Sequence, residues 1–249
     1  MLSRSRRKFV GTCRGSFKLN EDKTDYVSVV YDEQRSPKTE YPAQLAKYLS
    51  ERFELSPGER LLEIGCGRGD FLAAFERIGL KVSGLDRDLS TDETARILDI
   101  KHCDLTKDTF PFADESFDVV YHKSVIEHVY DPLPLMQESL RVLKPGGKLI
   151  ILTPDWQTQF KIFYEDFTHC RPYDTLTMSD LLRICSIRNS GSELFYQLPV
   201  QWRFPCLKYV CPFLRIFIGV PLARRITEIT GIKFFRWACE LMVLGYGIK

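Results

Sequence analysis

The sequence predicts an α/β fold, with helices on both faces of a doubly wound, mostly parallel sheet and an antiparallel closing strand. Three features indicate it: short apolar runs alternate with amphipathic segments, glycine-rich turns separate them, and acidic residues follow several of the runs. Strand and helix patterns alternating at this spacing are typical of βαβ units with right-handed crossovers. We therefore expect ligands to bind at the carboxyl ends of the parallel strands.

The predicted elements follow one another from residue 41 onward. Leu45, Leu49 and Phe53 recur at four-residue steps, which indicates a helix with one apolar face. The predicted helices are Tyr41–Phe53, Phe71–Ile78, a weak one near Thr91–Leu98, and Pro132–Leu143. The predicted strands are Leu61–Ile64, Lys81–Leu85, Ile100–Cys103, Phe117–Tyr121, Lys148–Thr153, and a closing strand Glu240–Ile248 paired with Glu193–Leu198.

Composition excludes several classes of protein. The 249 residues are 44% hydrophobic and 27% charged, which is typical of a globular protein and excludes a disordered chain, a collagen-like repeat or a multi-span membrane protein. The 35 basic and 33 acidic residues leave a net charge of +2. This balance argues against a dedicated nucleic-acid-binding protein, and we expect no nucleic-acid partner.

The charges are nevertheless unevenly distributed, and three regions are predicted from them. Residues 1–40 are a basic N-terminal arm and lead-in. Residues 1–18 lack the apolar region of a secretory signal, but they are rich in Arg and Ser, so an organellar presequence is the alternative. Residues 41–199 are the ligand-binding domain. Residues 200–249 carry eight basic residues and two acidic ones, and we expect this basic, aromatic region to cover the pocket and complete the sheet.

Eight cysteines are scattered along the chain without a CxxC pair, and only four histidines accompany them. Zinc-ligand spacing is absent, and a chain of this size needs no disulfide framework. We therefore expect no metal site, free thiols and a location in the reducing cytoplasm.

A glycine-rich turn follows the first predicted strand. Gly65, Gly67 and Gly69 form a GxGxG spacing, with Asp70 where the dinucleotide fingerprint has its third glycine. An acid beside a helix N-terminus suits the helix dipole but repels a pyrophosphate. The turn therefore favours a ligand without phosphates, although tight strand-to-helix packing also explains such glycines.

Two carboxylates follow the next strands. Asp86 ends the second predicted strand and is placed to accept both ribose hydroxyls, as in nucleoside-binding folds. Asp104 follows the third strand, where it is placed to accept an exocyclic adenine amine. Either residue alone is equally well explained as a helix cap. Together with the glycine turn they indicate a nucleoside site.

Five motifs resemble, in order, those of class I S-adenosylmethionine-dependent methyltransferases, a Rossmann-like family, and in particular its bacterial-type small-molecule group. They are LLEIGCGRGDFL, VSGLD, HCDL, FPFADESFDVVYHKSVIEHV and LRVLKPGGKLIILTP, and they cover about residues 56–154. The segment FYEDFTHCRPY (163–173) is similar to a stretch that follows the fifth strand in that group. The resemblance implies an enzyme that transfers a methyl group from S-adenosylmethionine.

The resemblance also implies roles for individual residues. Gly65, Cys66, Gly67 and Gly69 would lie against the methionine and ribose parts of the cofactor, while Glu63 would order the turn and approach the methionine ammonium group. Asp86 would hold the ribose hydroxyls and Arg87 the adenine edge. Asp104 and the Leu105 backbone would hold the adenine, and the backbone near His122 would face the methionine amino group.

Methyl transfer from a sulfonium mainly requires alignment and exclusion of water. A general base is needed only when the nucleophile must lose a proton. His128 follows the fourth strand, and His169 lies in the segment expected to cover the acceptor pocket. We predict these two as candidate bases, with His169 first because Tyr164, Asp166 and Arg171 surround it, although a structural histidine is the simpler interpretation of each.

Residues 202–223 are strongly apolar but are broken by charges and prolines, so they lack the run of about 20 apolar residues that spans a bilayer. Nine aromatic residues and eight basic ones within 200–249 suit an interfacial surface. A pocket cover or a dimer contact is the simpler interpretation. A membrane contact would place the protein peripherally at the inner face of a membrane and favour a lipid-linked acceptor.

We therefore predict a methyltransferase that acts on a small molecule, with O-methylation favoured. One alternative is the same cofactor used on RNA or protein. The Asn/Asp-Pro-Pro-Phe/Tyr motif of many amide and nucleobase methylators is absent, since residues 121–124 read YHKS. The other alternative is a non-catalytic protein that retains the fold to bind a membrane or a partner.

Overall fold

A seven-stranded sheet forms the centre of the computed structural model, which describes residues 38–88 and 98–249. The strands are β1 (Arg60–Ile64), β2 (Lys81–Asp86), β3 (Ile100–His102), β4 (Phe117–Lys123), β5 (Leu143–Pro154), β6 (Arg188–Phe195) and β7 (Met242–Ile248). Their order is β3-β2-β1-β4-β5-β7-β6, and β7 runs antiparallel to β5 and β6. The pairs from β3 to β5 are parallel, which confirms the predicted fold class.

Helices cover both faces of the sheet. They are α1 (Tyr41–Arg52), α2 (Asp70–Arg77), α3 (Pro132–Val142), α4 (Trp156–Gln159), α5 (Thr175–Ile184), α6 (Pro199–Arg203), α7 (Val210–Phe217), α8 (Val220–Thr230) and α9 (Phe234–Cys239). Leu45 and Phe75 of α1 and α2 are buried against one face. Leu135 and Met178 of α3 and α5 are buried against the other, so the crossovers enclose a core on each side.

Strand boundaries differ from the prediction at β5 and β6. The fifth strand begins at residue 143 rather than 148, because Leu143 already pairs with Phe117 before the register shifts across the Lys-Pro-Gly-Gly stretch. β6 spans Arg188–Phe195 rather than the predicted Glu193–Leu198. As an edge strand, β6 needs no buried apolar alternation, and its first residues are polar and largely exposed, so the sequence pattern conceals it.

The C-terminal region has two parts. Residues 242–248 form β7 and fill the position between β5 and β6, as the predicted closing strand required. Residues 199–239 form four short helices, with Pro199 and Pro221 in the first turns of α6 and α8. Proline is favoured there because the first turn needs no amide donor, so the prolines that interrupt the apolar run also begin helices.

No helix among residues 38–88 and 98–249 combines the length and the apolar character needed to cross a membrane. All seven cysteines in this part of the chain are free thiols. The predicted N-terminal arm, apart from its last three residues, and the predicted helix near 91–98, apart from Leu98, lie outside the described residues. The division of the chain at residues 40 and 199 stays a prediction.

Candidate functional site

A cavity of about 440 Å³ opens at the carboxyl ends of the five parallel strands β1 to β5. Loops that follow these strands supply its walls. The lining residues are Gly65, Gly67, Asp86, Arg87, Asp88, Asp104, Leu105, Thr106, Ser124, Val125, Glu127, His128, Val129, Pro154, Asp166, Thr168 and His169. None of the lining residues found in the described ranges comes from 200–249, so the expected cover by that region remains a prediction.

The glycine turn after β1 requires glycine for two reasons. Gly65, Gly67 and Gly69 all have left-handed φ angles, of 68°, 53° and 79°. A Cβ on Gly65 would in addition collide with a methyl group of Val125. The turn is anchored to β2, since the Gly65 N–H donates to the Leu85 carbonyl oxygen at 2.7 Å. Strain and close packing together make this turn rigid, with Gly65 and Gly67 facing the cavity.

Asp86 is held against the same turn. One carboxylate oxygen accepts the Gly67 N–H at 2.7 Å and the other accepts the Asp88 N–H at 3.0 Å. Burial raises the pKa of the Asp86 carboxyl above its ordinary value, and the two N–H donors oppose that shift. Arg87 also lines the cavity, and its largely exposed guanidinium pairs with Asp88 at 3.3 Å. The two hydrogen bonds from the backbone fix the Asp86 carboxylate in position, where it can accept a further hydrogen bond from a ligand.

Asp104 lies on the neighbouring wall and stabilises its own turn. Its carboxylate accepts the Thr106 hydroxyl at 2.6 Å, the Thr106 N–H at 3.0 Å and the Lys107 ammonium at 2.9 Å. These donors, the Thr106 hydroxyl first, hold the pKa of the Asp104 carboxyl well below its usual range. Asp104 and Leu105 both line the cavity, so capping of the turn and contact with a ligand are compatible here.

Four sequence-predicted residues are not among the lining residues: Glu63, Cys66, Gly69 and His122. Glu63 is buried, its Oε2 has no hydrogen-bond partner among the described residues, and burial raises the pKa of its carboxyl well above the ordinary value. Negative charge on Asp86 and Asp70 adds to that shift. Cys66 is also buried and lies against Gly84. Glu63 and His122 lie in β1 and β4, and Cys66 and Gly69 lie in the glycine turn.

His122 is fully buried in β4. Neither ring nitrogen has a hydrogen-bond partner within the described residues, and burial lowers the pKa of the imidazole to about 3. The side chain is therefore neutral at any physiological pH. Only the backbone near His122 was predicted to meet a ligand, and that role stays a prediction.

His128 and His169 come from segments 41 positions apart in the sequence, and their rings lie 4.7 Å apart at the centroids. The His169 Nδ1 lies 2.6 Å from the Phe163 carbonyl oxygen, which only accepts, so Nδ1 carries the proton. The Thr168 hydroxyl donates to Asp166 at 2.6 Å and therefore accepts from the His128 Nδ1 at 2.8 Å. In both rings Nε2 is thus the nitrogen with a lone pair.

Burial, followed by the charge of His169, lowers the pKa of His128, so this imidazole is neutral near pH 7. Asp166 Oδ2 lies 3.9 Å from the His169 Nε2. The 163–173 segment therefore contributes Asp166, Thr168 and His169 to the cavity, while its position over an acceptor stays a prediction.

Glu127 is a lining residue that the sequence analysis did not single out. Its side chain is 0% exposed, one oxygen accepts the Thr153 hydroxyl at 2.9 Å, and Oε1 has no partner among the described residues. Burial raises the pKa of its carboxyl to about 7. The sequence signal for Glu127 was its position beside His128 after β4. Glutamate is usually solvent-exposed, so this position alone does not indicate a buried carboxylate in the site.

Comparisons with known proteins identify the domain. A family model described as a methyltransferase domain matches residues 62–151. Phosphoethanolamine N-methyltransferase 1 of Zea mays is 34% identical over 119 residues, which are 44% of this chain and 23% of that protein. The ubiquinone biosynthesis O-methyltransferase of Ruegeria pomeroyi is 39% identical over 102 residues, which are 39% of this chain and 41% of that protein. The chain thus spans less than half the length of these curated relatives.

Two solved structures share the fold at low sequence identity. A SAM-dependent methyltransferase from Archaeoglobus fulgidus has a TM-score of 0.53 at 23% identity, with coverage of 69% of this chain and 78% of that one. Phosphoethanolamine N-methyltransferase 2 of Haemonchus contortus, in complex with S-adenosyl-L-methionine, has a TM-score of 0.57 at 20% identity, with coverage of 83% and 52%. Residues 62–151 therefore match a methyltransferase domain, and this chain shares its fold with solved S-adenosylmethionine-dependent methyltransferases.

Proposed function

We propose that this protein transfers a methyl group from S-adenosylmethionine to a small-molecule acceptor, with a hydroxyl oxygen as the favoured nucleophile. The observation that carries the proposal is the convergence of the glycine turn, Asp86 and Asp104 on one cavity at the strand ends. Bound there, S-adenosylmethionine supplies a methyl group on a positively charged sulfur.

The residues around the cavity fit this cofactor. Five lining side chains are carboxylates and one is a guanidinium, so the site favours a cation over a pyrophosphate; the carboxylates are those of Asp86, Asp88, Asp104, Glu127 and Asp166. Gly65 lets the turn pack directly against Val125, because a Cβ at that position would collide with the Val125 side chain. Glu63 adds a buried carboxylate oxygen without a partner among the described residues, next to the turn.

Each residue then has a binding role. Gly65 and Gly67 lie against the methionine and ribose, and Asp86 accepts from the ribose hydroxyls. Asp104 and Leu105 hold the adenine, with Arg87 at its edge. The remaining predicted positions, Cys66, Gly69 and the His122 backbone, act by shaping the turn and the adjoining strand, since they are not lining residues.

Calorimetry tests the cofactor assignment. We expect S-adenosylmethionine and S-adenosylhomocysteine to bind, nicotinamide dinucleotides not to bind, and Asp86→Ala to weaken binding about 10- to 100-fold, because a hydrogen bond to a charged group is worth about 1.5–3 kcal/mol. Asp180→Ala is the matched control, since Asp180 is an exposed residue of α5 outside the cavity. Tighter binding of a dinucleotide, or equal loss in both variants, would contradict the assignment.

His169 is the proposed base for a hydroxyl acceptor. Its Nδ1–H is held by the Phe163 carbonyl, which leaves Nε2 to receive the proton, and Asp166 lies 3.9 Å from Nε2 to stabilise the resulting imidazolium. His128, whose ring adjoins that of His169, is the second candidate. The residues of this segment otherwise exclude water from the acceptor side of the cavity.

Once an acceptor is in hand, kinetics test this role. We expect His169→Ala to lower kcat about 10²- to 10⁴-fold, as for loss of a general base, and to remove the acidic limb of the pH profile, while S-adenosylhomocysteine affinity stays unchanged. His102→Ala is the control because His102 is exposed on β3 and outside the cavity. Unchanged turnover in His169→Ala would show that the base lies elsewhere.

A hydrophobic, lipid-linked acceptor is supported by the helical region 199–239. Phe213 and Phe217 lie one turn apart on α7, with 67% and 79% of their surfaces exposed. Residues 200–249 carry a net charge of +6, from eight basic and two acidic residues. Exposed rings among cations suit contact with anionic lipid, which would bring the protein to the inner face of a membrane as a peripheral protein.

Vesicle flotation tests this contact. We expect the protein to float with vesicles that contain phosphatidylserine, less with phosphatidylcholine vesicles, and least at high salt. A protein that stays in the soluble fraction with anionic vesicles at low salt would eliminate the membrane contact while leaving the methyl transfer proposal intact.

A further inference from the structure

Three metal-ligating side chains converge on one side of the cavity. One oxygen of Glu127 and one nitrogen each of His128 and His169 all lie within 4.8 Å of one another. The two segments are joined by backbone bonds as well, since the Glu127 carbonyl oxygen accepts the Cys170 N–H at 2.9 Å and the Arg171 N–H at 3.1 Å. The cluster is therefore built into the fold rather than formed by mobile surface groups.

Each of the three groups has an acceptor atom that its neighbours leave available. In both imidazoles Nδ1–H is committed to a neighbour, Thr168 for His128 and the Phe163 carbonyl for His169, which leaves the Nε2 lone pairs. Ligating histidines are oriented in this way, by a hydrogen bond from the other ring nitrogen to an oxygen. Glu127 adds Oε1, which is buried and has no hydrogen-bond partner within the described residues. Three acceptor atoms that lie this close to one another favour a bound cation.

We infer that Glu127, His128 and His169 bind a divalent transition-metal ion, of which Zn²⁺ is the best match, with an open coordination position toward the cavity. Two imidazoles and one carboxylate form a ligand set that suits zinc and other first-row metals rather than Mg²⁺ or Ca²⁺, which prefer oxygen ligands. The sequence spacing predicts no metal site, because the two halves of this one lie in different motifs.

Geometry and charge set the cost of binding. Tetrahedral zinc ligands at about 2.1 Å from the ion lie about 3.4 Å from one another. Side-chain rotations must therefore bring the ligand atoms of the cluster closer together by roughly 1 Å. Asp166 lies 3.9 Å from the His169 Nε2 and favours a cation electrostatically. Lys123 is near enough to Glu127 to influence its carboxyl and opposes a cation. The two nearby charges therefore act on a bound cation in opposite directions.

The role of the ion, though not its binding, rests on the proposed function. A divalent cation at the open position acidifies a hydroxyl that coordinates it, so an acceptor alcohol or phenol loses its proton to solvent more readily. With an ion bound, the His169 Nε2 would be a ligand, and the ion would take its place as the group that activates the nucleophile. An acceptor with an oxygen donor beside its reacting hydroxyl would bind most tightly.

The test is titration of the chelator-treated full chain with Co²⁺, which reports nitrogen coordination by visible absorption, and with Zn²⁺ by calorimetry. We expect about one ion per chain, and a loss of affinity of at least about tenfold in each of Glu127→Gln, His128→Gln and His169→Gln. His102→Gln is the control, since His102 is an exposed histidine outside the cluster. Thr168→Val, which removes the oxygen that orients His128, should weaken binding about tenfold.

No cobalt absorption in wild-type protein, or full binding retained in both His128→Gln and His169→Gln, would overturn the inference. Circular dichroism of each variant establishes that it is folded. If Glu127→Gln is not folded, the test rests on His169→Gln, because the His169 side chain is 14% exposed whereas Glu127 is fully buried. Calorimetry with S-adenosylhomocysteine on the same samples separates the two proposals. Cofactor binding without cobalt binding would remove the metal site alone, and cobalt binding without cofactor binding would remove the proposed function alone.

Discussion

At the strand-end cavity, charged side chains are held by backbone N–H groups and by one another, whereas along residues 199–239 aromatic side chains are left in solvent. Asp86 accepts two backbone N–H bonds, and Gly65 has no room for a side chain. Phe213 and Phe217 are mostly exposed on a helix only eight residues long. The cavity is therefore rigid before any ligand arrives, while the helical region presents a surface that folding alone does not require.

The same contrast applies to buried charge. The cavity region buries Glu63 and Glu127 with one oxygen of each unpartnered among the described residues. In the helical region the buried carboxylate of Glu240 is paired with both Arg224 and Arg236. Unpartnered buried acceptors cost stability and are retained where a ligand supplies the donor, whereas paired ones join elements of structure. The predictions below test this difference.

The largest effect is expected from Gly65→Ala. Gly65 has a φ of 68° and a Cβ would collide with Val125, so strain and overpacking together should cost about 3 kcal/mol of unfolding free energy and abolish cofactor binding. Gly231→Ala in the helical region is the matched control. Its φ is 71° with nothing within 4 Å, so only about 1 kcal/mol should be lost. Equal losses in urea unfolding would show that the cavity turn is not specially packed.

Glu127→Gln should stabilise the protein at high pH. Burial raises the pKa of the Glu127 carboxyl to about 7, so its favourable protonated form is lost as the pH rises through the interval from about 4.5 to 7. Glutamine mimics the protonated form and should be more stable than wild type by up to about 3 kcal/mol at pH 8, and equal to it at pH 4. Chemical unfolding with a chelator present measures the difference.

Glu138→Gln is the control of opposite sign for that experiment. The Arg141 guanidinium lowers the pKa of the Glu138 carboxyl, so its stabilising ionised form is lost as the pH falls through that lowered value. The variant should therefore be less stable than wild type at pH 8. A stability gain in both variants would point to net charge rather than to burial of Glu127.

Glu240→Gln should cost about 2 kcal/mol. It removes one side of the buried pairs with Arg224 and Arg236, and the partial exposure of both arginines keeps the loss below that of a fully buried pair. Glu51→Gln breaks a surface pair with Lys47 and should change stability by less than about 0.5 kcal/mol. Comparable thermal unfolding of the two variants would mean that Glu240 does not anchor the helical region.

The smallest effect on stability is expected from Phe217→Ser. The side chain is mostly exposed, so unfolding free energy should change by less than about 0.5 kcal/mol, while flotation with anionic vesicles should fall severalfold. Phe75→Ser, at a fully buried position of α2, is the contrasting variant and should destabilise strongly. A large stability loss in Phe217→Ser would assign the ring a structural contact instead.

The sequence was sufficient to predict the sheet because β1, β2, β4 and β7 are apolar runs between turn residues, and because crossovers between parallel strands are right-handed as a rule. Asp86 and Asp104 were found for the same reason, since the last residue of a parallel strand lies at one known edge of the sheet. The limits of β5 and β6 were missed, because a register shift and an exposed edge leave no apolar period to detect.

By itself the sequence determined the fold class, the glycine turn and the residues at the carboxyl ends of the parallel strands. All three follow from local periodicity and backbone sterics. Only the tertiary structure decided that Glu63 and His122 are buried without lining the cavity, and that His128, His169 and Glu127 have atoms within 4.8 Å of one another. Burial, tautomer and pKa depend on what surrounds a group in three dimensions, and residues 41 positions apart in the chain become neighbours only when the sheet and its loops close.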